Sequence, residues 1–120
     1  MSLGIHQIVA NLVATLGLSL VATISGVKET RAVQQWTDAR EPQRPQVLRF
    51  ALQLTLMIVD IADASTARAW FQGSNPYLDD RSPAIMLRTL ALEDVQAPLM
   101  AAARAFASRC HGESHSGVAG

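Results

Sequence analysis

The most constraining feature of this chain is a nearly continuous apolar stretch at residues 46–63. A helix that is apolar on nearly every side must also be covered on nearly every side. The stretch therefore predicts either the central helix of the core or a helix shared with a second subunit. Exposure in a monomer would leave a large apolar surface in contact with water. Between Val47 and Ile61 only four residues dilute it, namely Arg49, Gln53, Thr55 and Asp60.

The residues before this stretch show apolar side chains at three- and four-residue spacing, which is typical of amphipathic helices. A first helix is predicted over about residues 4–16, ended by Gly17 as a left-handed cap. Ser19 is expected to cap a second helix that extends to about Ser25, where Gly26 breaks it. The N-terminal segment thus predicts two short helices in succession.

A third helix is predicted to begin at Glu29 or Thr30 and to place Val33 and Trp36 on its inner side. Residues 38–46 then form a polar connector with two prolines. Proline lacks the amide donor that a helix interior needs. The connector therefore separates the N-terminal trio of helices from the apolar helix.

Three more helices are predicted after the apolar stretch. Ser65 is expected to cap a short helix, and another helix spans Pro83 to about Leu90. The last helix begins near Glu93, whose negative charge suits a helix N-terminus, and it ends near Ala107.

The pattern as a whole predicts an all-α fold, a compact helical domain of about six to seven helices. Residues 1–45 form one part and residues 46–120 a second, packed as one unit. From about residue 108 the chain is small, polar and glycine-containing, which predicts a mobile tail.

Composition narrows the classes of protein. Ten basic and ten acidic residues cancel, which argues mildly against strong DNA binding by a monomer without excluding a local basic patch. The first 27 residues carry no charged side chain, but polar and glycine residues interrupt them too often for a lipid-facing span, and no basic segment opens a signal peptide. The single cysteine, Cys110, leaves no partner for an intramolecular disulfide. We therefore expect a cytoplasmic protein without a membrane segment.

The segment 69–87 carries the most specific pattern of the chain. An aromatic pair is followed by an Asn-Pro turn and by a Ser-Pro pair that opens the next helix. The pattern resembles the toxin-binding domain of the Xre/MbcA/ParS family of bacterial antitoxins. It is written Trp70-x4-Asn75-Pro76-x-Leu78-x4-Pro83-x3-Leu87.

The N-terminal part is similar to the Xre-type helix-turn-helix. The matching residues are Ala22-x3-Gly26-Val27 followed by Val33-x2-Trp36. A small residue at Ala22 lets two helices approach, and Gly26 permits the sharp turn between them.

In DNA-binding versions of this motif the outer face of the third helix enters the major groove. The residues on that face include Lys28, Arg31, Gln34 and Gln35, and glutamine and arginine are the side chains that read base edges. Arg40 and Arg44 of the connector are candidate phosphate contacts. The alternative is a three-helix scaffold with a solvated polar face, since only two basic residues lie on this face.

The resemblance implies an antitoxin of a type II toxin-antitoxin system. Many members of the family pair with RES-domain toxins, which consume NAD, and their C-terminal helix and tail cover the active site of the toxin. We expect a homodimer through the apolar helix 46–63 or its neighbours, or a hetero-oligomer with the toxin, with operator DNA as a second partner for autoregulation. The candidate toxin-binding residues are Asn75, Tyr77, Asp79 and Arg81 of the turn, with Arg104 and Arg109 of the last helix.

Catalysis has little support in the sequence. No phosphate-binding glycine loop, nucleophile elbow or zinc-protease motif is present. Cys110, His111 and His115 lie near one another but in the predicted tail, without a second cysteine pair. We expect no enzyme, no cofactor and no dedicated metal site. A helix-turn-helix transcriptional regulator without a toxin partner is the alternative function.

Overall fold

The structure is a computed structural model that describes residues 4–36, 42 and 44–119, with side chains as far as residue 109. Over these residues it contains seven α-helices and one 3₁₀ turn, and no β-strand. The predicted all-α fold is confirmed. The helices are α1 (Ile5–Leu16), α2 (Leu18–Ser25), α3 (Thr30–Trp36), α4 (Pro45–Ile61), α5 (Ala64–Gln72), α6 (Pro83–Thr89) and α7 (Leu92–Ala119), with the 3₁₀ turn at Pro76–Leu78.

The apolar helix α4 lies at the centre of the fold. It packs against α1, α7, α5 and α2, and Leu48, Leu54 and Ile58 are completely buried along it. Among the large apolar side chains of α4, Leu56 alone is exposed, with 56% of its surface open to solvent. Of the two predicted arrangements, the structure contains the first, because helices of the same chain cover most of α4.

The charge-free N-terminal segment forms α1 and α2, which pack against α4 and against each other. Gly17 joins them with φ 91° and ψ 158°. This is not the left-handed helical cap predicted from the sequence but a region of backbone space that is open essentially to glycine alone. Within the described residues, no helix has the length and apolarity needed to cross a bilayer.

The C-terminus of α2 is closed by the turn that leads to α3. Gly26 adopts the left-handed conformation, with φ 84° and ψ 13°. Its amide donates to the carbonyl of Thr23 at 3.2 Å, and the amide of Val27 donates to the carbonyl of Ala22 at 3.2 Å. This pair of hydrogen bonds is a Schellman motif, which glycine favours because it has no Cβ to clash.

Two arginines close helix ends from a distance along the chain. Nη1 of Arg88, in the last turn of α6, donates to the carbonyls of Thr23 (3.2 Å), Val27 (3.3 Å) and Ala22 (3.5 Å). Arg44, just before α4, donates to the carbonyls of Arg88 at 3.2 Å and Leu90 at 3.5 Å. A cation is favourable at a helix C-terminus because the last carbonyls lack intrahelical donors. These bonds join the N-terminal helices to the second half of the chain.

The start of α5 differs from the prediction. Asp63, and not Ser65, is the N-cap, and its carboxylate accepts from the amide of Thr66 at 2.7 Å. Hydrogen bonds from the backbone amide and the hydroxyl of Thr66 lower the pKa of Asp63 below its ordinary value of 3.8. The cap of α6 is as predicted, because Ser82 accepts from the amide of Ile85 at 3.2 Å and precedes Pro83.

The last helix is longer than the sequence predicted. It extends to Ala119 instead of ending near Ala107, and it continues through Pro98. The first turn carries Glu93 and Asp94, as expected for the positive end of a helix dipole. The helix therefore extends well beyond the part that packs on α4.

Leu54 and Leu56 of α4 form a matched pair, because one is completely buried and the other is 56% exposed. We expect Leu54→Ala to lower the free energy of unfolding by about 2–5 kcal/mol through lost transfer energy and a residual cavity. Leu56→Ala should change it by less than about 0.5 kcal/mol. Urea unfolding measures both, and equal losses would contradict the central position of α4.

Candidate functional site

The segment between α5 and α6 is a closed turn, called here the 75–81 turn. The side-chain oxygen of Asn75 accepts from the amide of Tyr77 at 2.9 Å. The backbone of Asn75 also pairs with the other end of the turn. Its amide donates to the carbonyl of Arg81 at 3.2 Å, and its carbonyl accepts from the amide of Asp80 at 2.9 Å. Asparagine is favoured at such positions because its side chain replaces a backbone turn bond. The turn is thus held by its own backbone.

The tip of the 75–81 turn has an unusual backbone and an exposed aromatic ring. Asp79 and Asp80 have φ values of 57° and 62°, a left-handed conformation that side chains with a Cβ rarely adopt. Leu78 is buried and anchors the turn, whereas Tyr77 is 61% exposed. The result is a fixed loop that presents a tyrosine to solvent.

The charged side chains of the turn are open to a partner. Asp79 and Arg81 approach to 4.0 Å, but both are well exposed, and such pairs contribute little to stability. Nε of Arg81 also donates to the carbonyl of Leu78 at 3.2 Å, which orients the guanidinium. These two predicted residues therefore lie side by side on the surface.

A cavity of about 250 Å³ adjoins the 75–81 turn, between α5 and α7. Asn75 and Arg109, two candidate residues that are distant in the sequence, both line it, together with Trp70 and Phe106. Arg104 is exposed on α7 but does not line the cavity. The fold thus brings one residue of the last helix to the turn and leaves the other outside.

Trp70 forms the buried wall of this cavity. Its ring is 7% exposed and meets Phe71 edge to face, with centroids 5.1 Å apart. A buried indole N–H usually has a hydrogen-bond partner, but the described part of the structure provides none for this Nε1. A buried donor without an acceptor lowers the stability of the folded state by about 1–3 kcal/mol. Such donors are therefore uncommon in folded proteins.

The second group of predicted residues lies on α3 and the turn before it. Lys28, Arg31, Gln34 and Gln35 are exposed, while Val33 and Trp36 are buried against the other helices. The polar outer face predicted for this helix is therefore present, although α3 has only 7 residues.

Of the two predicted phosphate contacts in the connector, Arg40 and Arg44, the structure describes only Arg44. Arg44 is half-buried, and its guanidinium binds the last carbonyls of α6, so it contributes to the fold and is not extended toward a phosphate. Arg40 lies outside the described residues.

Two residues with clear structural roles were not predicted. Arg88 closes α2, and Nδ1 of His6 donates to the carbonyl of Trp36 at the end of α3. Both bonds link residues at least 30 positions apart. No local pattern in the sequence signals such a partnership.

No metal centre is formed by the side chains that the structure describes, since no three His, Cys, Asp or Glu come together there. The side chains of Cys110, His111 and His115 lie outside the described residues.

The left-handed backbone at Asp80 gives a test of the turn. Glycine adopts this φ without strain, whereas a β-branched residue adds Cβ clashes, so we expect Asp80→Val to be less stable than Asp80→Gly by at least about 1 kcal/mol. At the exposed helical residue Arg68 the order should reverse, because glycine is the poorer helix former. Chemical denaturation of the four variants measures both differences, and the same order at both positions would contradict the turn geometry.

Comparison of the chain with protein-family models, with curated proteins and with solved structures finds no match. Its function is therefore argued from its own residues and from the resemblance of its motifs.

Proposed function

We propose that this chain is an antitoxin that binds and neutralises a cognate protein toxin of the RES type. The 75–81 turn and the adjoining cavity form the contact, and the end of α7 blocks the active site of the toxin. The observation that carries the proposal is the exposed Tyr77 on a turn whose backbone is fixed by its own hydrogen bonds.

Tyr77 has the properties of an interface anchor. Tyrosine is enriched among residues that dominate binding energy, because it buries a large ring and keeps a polar tip. Its position is set before binding by Asn75 and by the buried Leu78, so little conformational freedom is lost on association. An aromatic side chain with 61% of its surface exposed contributes little to the stability of the monomer.

The cavity beside the turn adds polar specificity. Arg109 is exposed at its rim. Its guanidinium is a donor, so a partner that inserts a carboxylate or a carbonyl oxygen here would pair with it. The proposal therefore expects an acidic or acceptor-rich segment on the toxin.

The last helix supports the blocking role. α7 carries the exposed Arg104 and Arg109, and it continues to Ala119. The resemblance implies that this end covers the cleft of the toxin, where the two arginines would pair with the acidic or acceptor-rich segment expected there.

Operator DNA is a second candidate partner, either for autoregulation or as the sole function of a regulator without a toxin. The exposure of Lys28, Arg31, Gln34 and Gln35 on one side of the helix-turn-helix favours it. A gel shift on the upstream promoter at stated salt separates the two functions, because strong specific binding without any protein partner supports the regulator.

A homodimer remains part of the proposal. The contact expected from the sequence is the apolar helix α4 or its neighbours.

The variants Tyr77→Ala and Leu56→Ala test the contact, because the two side chains are exposed to a similar extent, 61% and 56%. Each is expressed with the reading frame beside its gene, and co-purification and growth protection are measured. We expect Tyr77→Ala to weaken capture at least about 30-fold, which corresponds to the loss of one hot-spot residue. Leu56→Ala should retain capture and protection.

The proposal fails if Tyr77→Ala captures and protects as well as the unaltered chain. It also fails if no neighbouring product co-purifies while the promoter is bound tightly, since that result supports the regulator. Circular dichroism of both variants checks that each remains helical.

A further inference from the structure

A second cavity, distinct from the one at the 75–81 turn, lies where α2, the start of α3 and α6 meet. Its volume is about 430 Å³, which falls in the range of small-molecule sites. Two cations line it, Lys28 and Arg88. The hydroxyl residues Ser19, Thr23 and Thr30 and the apolar Ile85 line it as well.

Arg88 is held at this cavity with part of its guanidinium unused. Its hydrogen bonds to the described residues come from Nη1, which donates to carbonyls at the end of α2. Within the described residues, Nε and Nη2 have no acceptor. The capping bonds therefore fix the plane of the guanidinium and leave two further donor groups for a ligand.

Lys28 is brought to the same place by the turn after α2. It directly follows Val27, whose carbonyl accepts from Arg88 at 3.3 Å. Lys28 is exposed, and none of the described residues that line the cavity is a carboxylate. In a chain with ten basic and ten acidic residues, two cations that share a cavity without a carboxylate form a local positive site.

We propose that this cavity binds a phosphate group carried on a larger organic body. The guanidinium supplies directed donors, the lysine supplies a point charge, and the hydroxyls of Ser19 and Thr30 supply two more donors. Thr23 is less available, because its hydroxyl donates to the carbonyl of Ser19 at 3.1 Å. Ile85, 47% exposed, provides an apolar wall for the body of the ligand.

This inference goes beyond the proposed function, because a free phosphorylated ligand is neither the toxin nor operator DNA, and the cavity shares no lining residue with the one beside the 75–81 turn. The ligand that we propose is a free phosphorylated molecule. The phosphate backbone of DNA presents the same chemistry to Lys28 and Arg88, so the experiment separates the two.

Lys28 is the only lysine of the chain, so selective ¹³C labelling of lysine gives a single side-chain probe at the cavity. The full chain is titrated with inorganic phosphate, with adenosine monophosphate and with a short DNA duplex, each at an ionic strength held constant with sodium chloride. We expect a saturable shift of the lysine signal. Saturation by the nucleotide identifies a free phosphorylated ligand, whereas saturation only by the duplex, weakening steeply with salt, assigns Lys28 to operator DNA and overturns the proposal.

Variants assign the binding to the cavity. Lys28→Gln should weaken the ligand that saturates at least 10-fold by calorimetry, and Thr30→Val should weaken it to a smaller extent. Arg68→Gln, a charge removed from an exposed helical position outside this cavity, should leave binding unchanged. The proposal is overturned if none of the three titrants gives a saturable shift, or if Lys28→Gln and Arg68→Gln bind equally well.

Discussion

The fold depends on how the C-terminus of α2 is closed. A helix of 8 residues has its last carbonyls unpaired, and in this helix they lie against the second half of the chain. Gly26 and Val27 pair two of them through the backbone, and Arg88 of α6 adds charge-assisted hydrogen bonds to the same end. Arg44 then closes α6 in the same way. The N-terminal helices α1–α3 are thus bonded to the C-terminal helices and are not a separate module.

This arrangement makes α6 the element that connects both candidate binding surfaces. The 75–81 turn leads directly into the helix through the Ser82 cap, and the cationic cavity lies at its opposite end, around Arg88. This helix has only 7 residues and is bonded at both ends, so we expect its two ends to move together. A protein partner at the turn and a phosphate at the cavity would therefore contact one rigid body.

Local signals in the sequence predicted much of this molecule. Residues 46–63 predicted the central helix, Gly26 the break after α2, and Ser82 with Pro83 the start of α6, because each depends on neighbours in the chain. Pairings between distant residues were not predictable. Spacing alone could not show that Arg44 binds α6, that Asp63 replaces Ser65 as a cap, or that no described residue accepts from the buried indole of Trp70. The candidate turn was found from its motif, whereas its cavity required the packing of α7.

The unfolding free energy of Arg88→Ala, compared with Arg68→Ala, tests this account most directly. Both variants remove one arginine from a short helix, but only Arg88 is bonded to the end of α2. The account predicts a loss of about 1.5–3 kcal/mol for Arg88→Ala and less than about 0.5 kcal/mol for Arg68→Ala. Equal stability of the two variants would show that the N-terminal helices do not depend on this arginine.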